Sequence, residues 1–300
     1  EHGRDTRDQR GRAGVNTRFR PTPNGDLHLG HVWICLHDYD IAARSGGKFV
    51  LIADDDVYLK QRLYLQSPPV AKVVDRMVED LTWLGMPPDE VRLTSEFHDL
   101  HVAAGVRLEV KEPILHDKRA SFLGRYIMPP ESSAQEDYYH PWFTLCRVVD
   151  DHALSIDAFH RGEELVGERQ LYDYFCSVLG FRSVRQKYLP HVWRDGATAK
   201  ESKSVACTTV RELRDAGYAP QQVTETLLAC SRGVTAGGRI TLPKGILTPK
   251  RVRWMIDPEF AVSAESSIPA AVGTEWERDV RRAARALVRE HKKGLVQSAD

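Results

Sequence analysis

The residues of this sequence best suited to chemistry are two histidines, His28 and His31, in a turn rich in proline and glycine. The turn follows a β-prone run (VNTRF) and leads into an apolar-periodic segment that stops at Gly46-Gly47. At a spacing of three, the two imidazoles share one face of the first helical turn. The helix N-terminus adds unpaired N–H groups and a partial positive charge. This combination is suited to donating hydrogen bonds to a phosphate oxygen whose charge changes during a reaction.

The sequence around the histidines predicts the elements that would position them. VNTRF, the glycine turn, the apolar-periodic helix and KFVLIA follow the order of a βαβ unit. Residues 69–85 have the apolar spacing of an amphipathic helix, VRLTS is predicted as a third strand, and Trp142 to Asp151 as a central strand. Prolines and polar runs predict no long element in 97–140. The fold class is therefore α/β, in which ligands are met at strand ends.

The second half of the chain is predicted to continue with helices and one more strand. VGERQLYDYFCSVLG is a helix that ends at Gly180, and KYLPHVW is strand-like. TTVRELRDAGYAPQQVTETLLACS predicts two helices joined at Gly217 and Pro220. TPKRVRWMIDPEFAV is interpreted as a short helix and turn, and Glu275 to Lys293 as a charged amphipathic helix.

Two motifs resemble the signatures of a known enzyme family. Thr17 to Asp56 is similar to the first signature of class I aminoacyl-tRNA synthetases, and RFxPxPNGxLHLGH resembles the glutamyl/glutaminyl branch. KxSKS at Lys200 to Ser204 resembles the second signature, with Glu201 where Met or Ile is usual. The resemblance extends over roughly residues 15–260. It implies an ATP-dependent ligase that forms an aminoacyl adenylate, with Mg²⁺ carried by ATP.

The resemblance also implies a domain organisation. Residues 1–14 are expected to be a flexible tail, and 15–205 a Rossmann-like catalytic domain that binds ATP and the amino acid. Residues 97–140 then correspond to a shortened form of the insertion that holds the tRNA acceptor end in relatives. Residues 206–300 form a small helical C-terminal domain, and no anticodon-binding domain is expected.

Site residues follow from the same resemblance, position by position. The implied catalytic residues are His28, His31, Lys200 and Lys203. The implied ATP-binding residues are Pro23, Gly25, Gly30, Glu164 and Ser202. The implied amino-acid-binding residues are Arg18, Arg20, Thr22, Asp54, Phe143, Arg147 and Arg161.

Several of these positions depart from what relatives carry. Arg20 and Arg147 stand where Ala or Pro, and Asn, are common, and Phe143 replaces a substrate-contacting tyrosine. Arg161 matches the arginine typical of glutamate-selective members. Any single arginine could equally form a structural salt bridge. Four around one pocket would repel each other unless an anion is present, which predicts an acidic substrate, glutamate-like or more anionic.

The run Asp54-Asp55-Asp56 at a predicted strand end is open to two interpretations. Three adjacent carboxylates are costly unless a cation lies near, so the run is either a solvated turn or a site for an ammonium group or a metal. The resemblance implies that Asp54 receives the α-amino group of the substrate.

Composition adds few constraints on partners. Lys+Arg and Asp+Glu are 42 each, so there is no overall basic field of the kind expected for a protein that grips a whole tRNA. The five cysteines are scattered, which predicts small buried hydrophobes in a reducing cytoplasm and no zinc site. No stretch of the sequence predicts a membrane span.

The acyl acceptor is left open between several classes. The favoured hypothesis is transfer to a small-molecule or protein amine, as in a natural-product ligase, because the short insertion, the missing zinc motif and the neutral charge all remove tRNA contacts. The alternative is a truncated glutamyl-tRNA-synthetase-like enzyme that charges a tRNA, of the glutamyl-Q type. A degenerate non-catalytic paralogue is the third possibility, and intact signature residues argue against it.

Overall fold

A parallel sheet forms the centre of the first of two compact units. The computed structural model describes residues 14–55, 70–111, 141–194, 207–232, 234, 238–243 and 246–248. The first unit takes Glu1–Gly25, His37–Val78 and Pro88–Tyr188. The second unit takes Asp26–Leu36, Glu79–Pro87 and Leu189–Asp300.

The sheet of the first unit has five strands in the order β3-β2-β1-β4-β5. Strand β1 (Thr17–Phe19) pairs in parallel with β2 (Phe49–Ala53) and with β4 (Ala158–Gly162), and β2 pairs in parallel with β3 (Glu90–Leu93). Strand β5 (Arg185–Leu189) lies beyond β4. All residues of β1 and β2 are buried, as expected for strands covered on both faces. The predicted α/β class is confirmed.

Helices α1 (Leu29–Ser45) and α2 (Val70–Trp83) extend through residues of both units. Helices α3 (His98–Lys111), α4 (Pro141–Ala153) and α5 (Arg169–Leu179) belong to the first unit. Its core joins β2 and β4 to these three helices through side chains such as Ile52, Leu108, Leu145, Phe159 and Phe175. Helix α5 ends at Gly180 as predicted, because the glycine adopts φ 69°, the left-handed conformation that closes a helix.

The predicted central strand at Trp142 to Asp151 is wrong, because this segment is helix α4. Its buried apolar residues Leu145, Val148 and Val149 have helical spacing, yet nearly every residue from 144 to 151 is buried. A short apolar run buried on all sides has no periodicity that separates helix from strand. The correction matters because α4 carries several residues of the site.

The prediction of no long element in 97–140 is also wrong at its start, where α3 spans His98–Lys111. The buried positions of α3 are His101, Ala104, Gly105 and Leu108. Their spacing is helical, but three of the four are small or polar, so the apolar signal was weak. Since Ala104 and Leu108 belong to the core of the first unit, α3 is part of its framework.

The second unit contains a two-stranded parallel sheet and two short helices. Strand β6 (Val192–Arg194) begins within the predicted strand-like run KYLPHVW and pairs with β7 (Ile240–Leu242). The sequence had not predicted β7. The two predicted helices are confirmed as α6 (Val210–Asp215) and α7 (Pro220–Ser231). They are separated by Gly217 at φ 85°, and a reciprocal capping box of Thr209 and Glu212 starts α6.

Four of the five cysteines are buried, and Cys207 is half-buried. Burial raises the pKa of the Cys176 thiol to about 12 and that of Cys230 to about 11, so both remain protonated at neutral pH. None of the helices among the described residues is both long and apolar enough to span a membrane. The predicted tail 1–14, except its last residue, and the helices predicted beyond 248 lie outside the described residues.

Candidate active site

The carboxyl ends of β1 and β2 bring Arg20 and Asp54 together at one edge of the parallel sheet. The Asp54 N–H donates to the Pro21 carbonyl at 3.0 Å and ties the two segments just past the strands. Nη2 of Arg20 lies 3.6 Å from Asp54 Oδ1 and donates to Thr94 Oγ1 at 2.8 Å. The cation expected beside Asp54 is therefore a side chain of the protein itself.

The next carboxylate, Asp55, has a local structural role. It accepts hydrogen bonds from Ser95 N at 2.9 Å and from Ser95 Oγ at 2.7 Å. Asp55 thus caps the 3-10 helix Thr94–Phe97, and Asp56 lies outside the described residues.

Helix α4 supplies two adjacent acids, Asp150 and Asp151, that hold the two arginines of β1 and its extension. Asp151 accepts two hydrogen bonds from Arg18, at 3.0 and 3.1 Å, and one from the Tyr172 hydroxyl at 2.8 Å. Asp150 pairs with Arg20 at 2.9 Å. The ring of His101 on α3 lies 2.5 Å from the other oxygen of Asp150. Together these groups form a buried ionic network that joins the sheet to α3 and α4.

The network is almost completely desolvated. The Arg18 and Arg20 side chains are 4% and 3% exposed, and those of Asp150 and Asp151 are fully buried. Burial alone opposes the charge on Arg20, but Asp150 and Asp54 outweigh it, so the pKa of Arg20 is raised. Charges buried this deeply persist because each has an ionic partner. Arg18 and Arg20 are therefore held in place by ion pairs with carboxylates of the protein.

A separate pair of arginines, Arg147 on α4 and Arg161 on β4, converges on one carboxylate. Both donate to Oε2 of Glu168, at 2.7 Å and 2.6 Å. Glu168 ends the 3-10 helix Glu163–Glu168, which turns the chain back after β4. Burial and the neighbouring Arg147 lower the pKa of Arg161. Two guanidinium groups share a single negative charge here.

The inference that four arginines would repel without a substrate anion is therefore wrong in its premise. Each of the four has a carboxylate of the protein within ion-pair distance: Asp151, Asp150, and Glu168 for the last two. These pairings were not predicted, because the partners come from distant positions in the sequence. The arginine count alone does not identify an acidic substrate.

In the second unit, the two histidines of the first signature are stacked. The ring centroids of His28 and His31 are 3.7 Å apart. Nδ1 of His28 accepts from the Gly30 N–H at 3.1 Å, and Nδ1 of His31 accepts from the His28 N–H at 3.3 Å. In a neutral imidazole whose Nδ1 accepts, Nε2 carries the proton. Both rings are thus set as Nε2–H donors, the state required for stabilising phosphate oxygens.

The histidine turn is bonded to the start of α6. His28 forms an isolated antiparallel bridge with Thr209, and the Val210 N–H donates to the Leu27 carbonyl at 2.8 Å. Nη2 of Arg194 donates to Thr208 Oγ1 at 2.5 Å, which joins the end of β6 to the approach to α6. Lys200, Ser202 and Lys203 fall between these two points in sequence and lie outside the described residues.

Comparison with known proteins now identifies the first part of the chain. Residues 14–108 match the family model of the catalytic domain of class I tRNA synthetases (E and Q). This part of the chain resembles a class I synthetase catalytic domain of the glutamyl/glutaminyl type. The matched range begins just before β1, includes the histidine turn and extends into α3.

Two proteins with similar sequences are both named glutamate–tRNA ligase 2. The glutamate–tRNA ligase 2 of Neorickettsia sennetsu is 26% identical over 236 residues, which cover 71% of this chain and 55% of that protein. The glutamate–tRNA ligase 2 of a Methylobacterium species is 40% identical over 121 residues, covering 37% of this chain and 25% of that protein. The chain spans about half the length of the first of these relatives.

A solved structure agrees with the fold of the synthetase domain. A glutamate tRNA ligase from Elizabethkingia meningosepticum, crystallised with its amino acid, superposes with a TM-score of 0.55 at 18% identity. The match covers 90% of this chain and 79% of that one. At this identity the likeness establishes the Rossmann-like fold.

The remaining predicted positions of the synthetase domain are distributed over both units. Thr22, Pro23 and Gly25 lie on the turn after β1, in the first unit, and Gly30 is in the first turn of α1. The Glu164 carboxylate lies against Gly162, where a Cβ would come within 2.7 Å of Glu164 Cδ. Phe143 is in α4, but its side chain lies outside the described part.

Sequence reasoning missed the residues that organise the arginines. Asp150 and Asp151 stand side by side at the end of the segment predicted as a central strand, so their adjacency was a usable signal. Glu168, Tyr172 and His101 gave none, since each acts through a contact that only the folded chain creates.

Proposed function

We propose that this chain activates a glutamate-like amino acid with ATP. An oxygen of the amino acid's α-carboxylate would attack the α-phosphorus, and the bond to the bridging oxygen of the β-phosphate would break. The products are an aminoacyl adenylate and pyrophosphate. The observation that carries this proposal is the geometry of His28 and His31, whose Nε2–H donors occur within a region matching a synthetase catalytic domain.

The histidines would stabilise charge that builds up on the phosphates in the transition state. Lys200 and Lys203 would add mobile ammonium groups suited to pyrophosphate. Among the described residues, no cluster of three or more His, Cys, Asp or Glu side chains is arranged to hold a metal. Mg²⁺ would arrive on the phosphates of ATP, where it would neutralise the pyrophosphate leaving group.

Asp54 would receive the ammonium group of the amino acid at the ends of β1 and β2. Arg20, 3.6 Å away, already supplies a positive charge there, so the ammonium would share Asp54 with a fixed cation. Arg161 would contact an acidic side chain, in keeping with the similar proteins, which are named glutamate–tRNA ligases. Arg18, held by Asp151, would line the pocket without moving.

For the acyl acceptor we propose a small-molecule or protein amine. The support is helix α3, because it packs in the core and leaves only residues 112–140 between the framework helices α3 and α4. A short segment there limits the surface that could orient a tRNA end. The similar proteins are named as tRNA ligases, which supports the alternative that the chain charges a tRNA.

The test is amino-acid-dependent pyrophosphate exchange, first across all amino acids and then in the variants Lys203→Ala and His28→Ala. Each variant is expected to lower exchange by roughly 10²–10³-fold, the loss typical of one transition-state donor. Unchanged exchange in both would overturn the assignment. Total tRNA from the host and a panel of amines are then offered as acceptors. RNA-linked label that depends on Lys203 would reject the amine acceptor in favour of tRNA.

A further inference from the structure

Glu168 holds both Arg147 and Arg161 in the first unit. The two guanidinium groups donate to the same oxygen, Oε2, at 2.7 and 2.6 Å. The arrangement differs from the ionic network of Arg18 and Arg20, where each arginine has a carboxylate of its own. With two positive charges and one negative charge, this cluster carries one net positive charge.

The cluster is accessible enough to receive a ligand and buried enough to sense charge. The side chains of Arg161, Arg147 and Glu168 are 6%, 16% and 20% exposed. A guanidinium has five N–H donors, so one hydrogen bond to Glu168 leaves donors on each arginine for other acceptors. At this depth a mismatch of one charge is costly, because solvent screens it poorly.

We infer that Glu168 sets the net charge of this cluster of two arginines and one carboxylate. The cluster thereby selects a substrate side chain that carries a single negative charge. The inference rests on the proposed function and refines it. Arg147 then does not create a second anion subsite, because Glu168 neutralises one of the two arginines. The cluster has the net charge of a lone arginine while it presents two guanidinium groups in fixed positions.

Two single changes to this cluster alter its charge without removing polar groups, and a double variant combines them. Glu168→Gln keeps an oxygen that both arginines can reach and raises the net charge to two. Arg147→Gln lowers it to zero. The double variant, which combines Glu168→Gln and Arg147→Gln, restores a net charge of one. Arg161 then has neither the Glu168 carboxylate nor the Arg147 guanidinium beside it. Asp173→Asn and Arg169→Gln, on exposed positions of the adjacent helix α5, are matched controls for one-charge changes outside the cluster.

The experiment measures binding of three ligands by titration calorimetry without ATP at about pH 8. They are glutamine, glutamate and the γ-phosphonate analogue of glutamate, whose side chains carry zero, one and two negative charges. The unaltered protein is expected to prefer glutamate over both others by about tenfold or more. Glu168→Gln should shift the ratio of phosphonate to glutamate affinity by about tenfold towards the phosphonate.

Arg147→Gln should remove about tenfold of the preference for glutamate over glutamine, and the double variant should regain it. A purely structural role for Glu168 would weaken all three ligands alike and would show no such regain. An unchanged ranking in Glu168→Gln, a ranking equally moved by the Asp173→Asn control, or no binding of any ligand to the unaltered protein would overturn the inference.

Pyrophosphate exchange is run on the same samples to separate this inference from the proposed function. If binding shows the expected selection by charge but no exchange occurs, the proposed activation is refuted and the inference about Glu168 is supported. If exchange with glutamate occurs but the ranking of the three ligands is unchanged in Glu168→Gln, the inference about Glu168 is refuted and the proposed activation is supported.

Discussion

Two sets of arginines in the first unit are paired in opposite ways. Arg18 and Arg20 lie in a desolvated network, in which Asp151 pairs with Arg18 while Asp150 and Asp54 both lie within ion-pair distance of Arg20. Arg147 and Arg161 share Glu168 and keep partial contact with solvent. The difference shows that an arginine in a pocket reveals little until its partner is known. Buried acids neutralise Arg18 and Arg20, whereas Arg147 and Arg161 together keep one net positive charge.

The sharpest way to break this comparison is to remove Asp151. Asp151→Ala leaves the Arg18 guanidinium buried without its two hydrogen bonds and removes the acceptor of the Tyr172 hydroxyl. The expected loss is about 3–5 kcal/mol in the free energy of unfolding, since breaking a buried pair exposes the full desolvation cost of the remaining charge. Urea denaturation followed by circular dichroism measures it.

Asp173→Asn serves as the control for Asp151→Ala, because the Asp173 side chain is 42% exposed in its pair with Arg169. It is expected to cost less than about 1 kcal/mol. If Asp151→Ala costs no more than this control, Arg18 is not held by the fold, and the contrast between the two sets disappears.

The second set predicts the reverse pattern, with a small effect on stability and a large one on selectivity. Arg161→Ala leaves Glu168 paired with Arg147, so no charge loses its only partner. The affinity for an acidic ligand should fall by roughly 10- to 100-fold more than that for its neutral amide, because a desolvated carboxylate loses a charged donor. Calorimetry with glutamate and glutamine gives the ratio. Equal losses for both ligands would show that Arg161 does not contact the side chain.

The sequence predicted the parts of the structure that depend on local patterns better than the parts that depend on contacts between distant residues. Strand β2 and helix α5 have clear apolar patterns and end signals such as Gly180, and both were predicted correctly. Helix α4 was mistaken for a strand because it is buried on nearly all sides. Positions of the signature residues came from local motifs. Ion-pair partners did not, since Arg18 and Asp151 are 133 positions apart and only the fold brings them together.

A third ionic cluster, in the second unit, tests the same distinction by pH. Asp80 is fully buried on α2, and its nearest cations, Arg211 and Arg214 on α6, are each 3.9 Å away. Neither Asp80 oxygen accepts a hydrogen bond among the described residues. Burial therefore dominates over the two arginines, with Glu79 and Asp26 adding repulsion, and raises the pKa of Asp80 from 3.8 to about 6.

An acid whose pKa rises on folding holds its proton more tightly in the native state, so stability is lost as the pH rises from about 4 through about 6. Asp80→Asn removes this dependence. Relative to the unaltered protein, the variant should gain about 2 kcal/mol of unfolding free energy between pH about 4 and about 7. A difference in unfolding free energy between the variant and the unaltered protein that is the same at every pH does not affect the slope of free energy against pH. Asp75→Asn, on an exposed position of α2, is the control and should leave the slope unchanged. Parallel pH profiles for Asp80→Asn and the unaltered protein would mean that folding does not raise the pKa of Asp80.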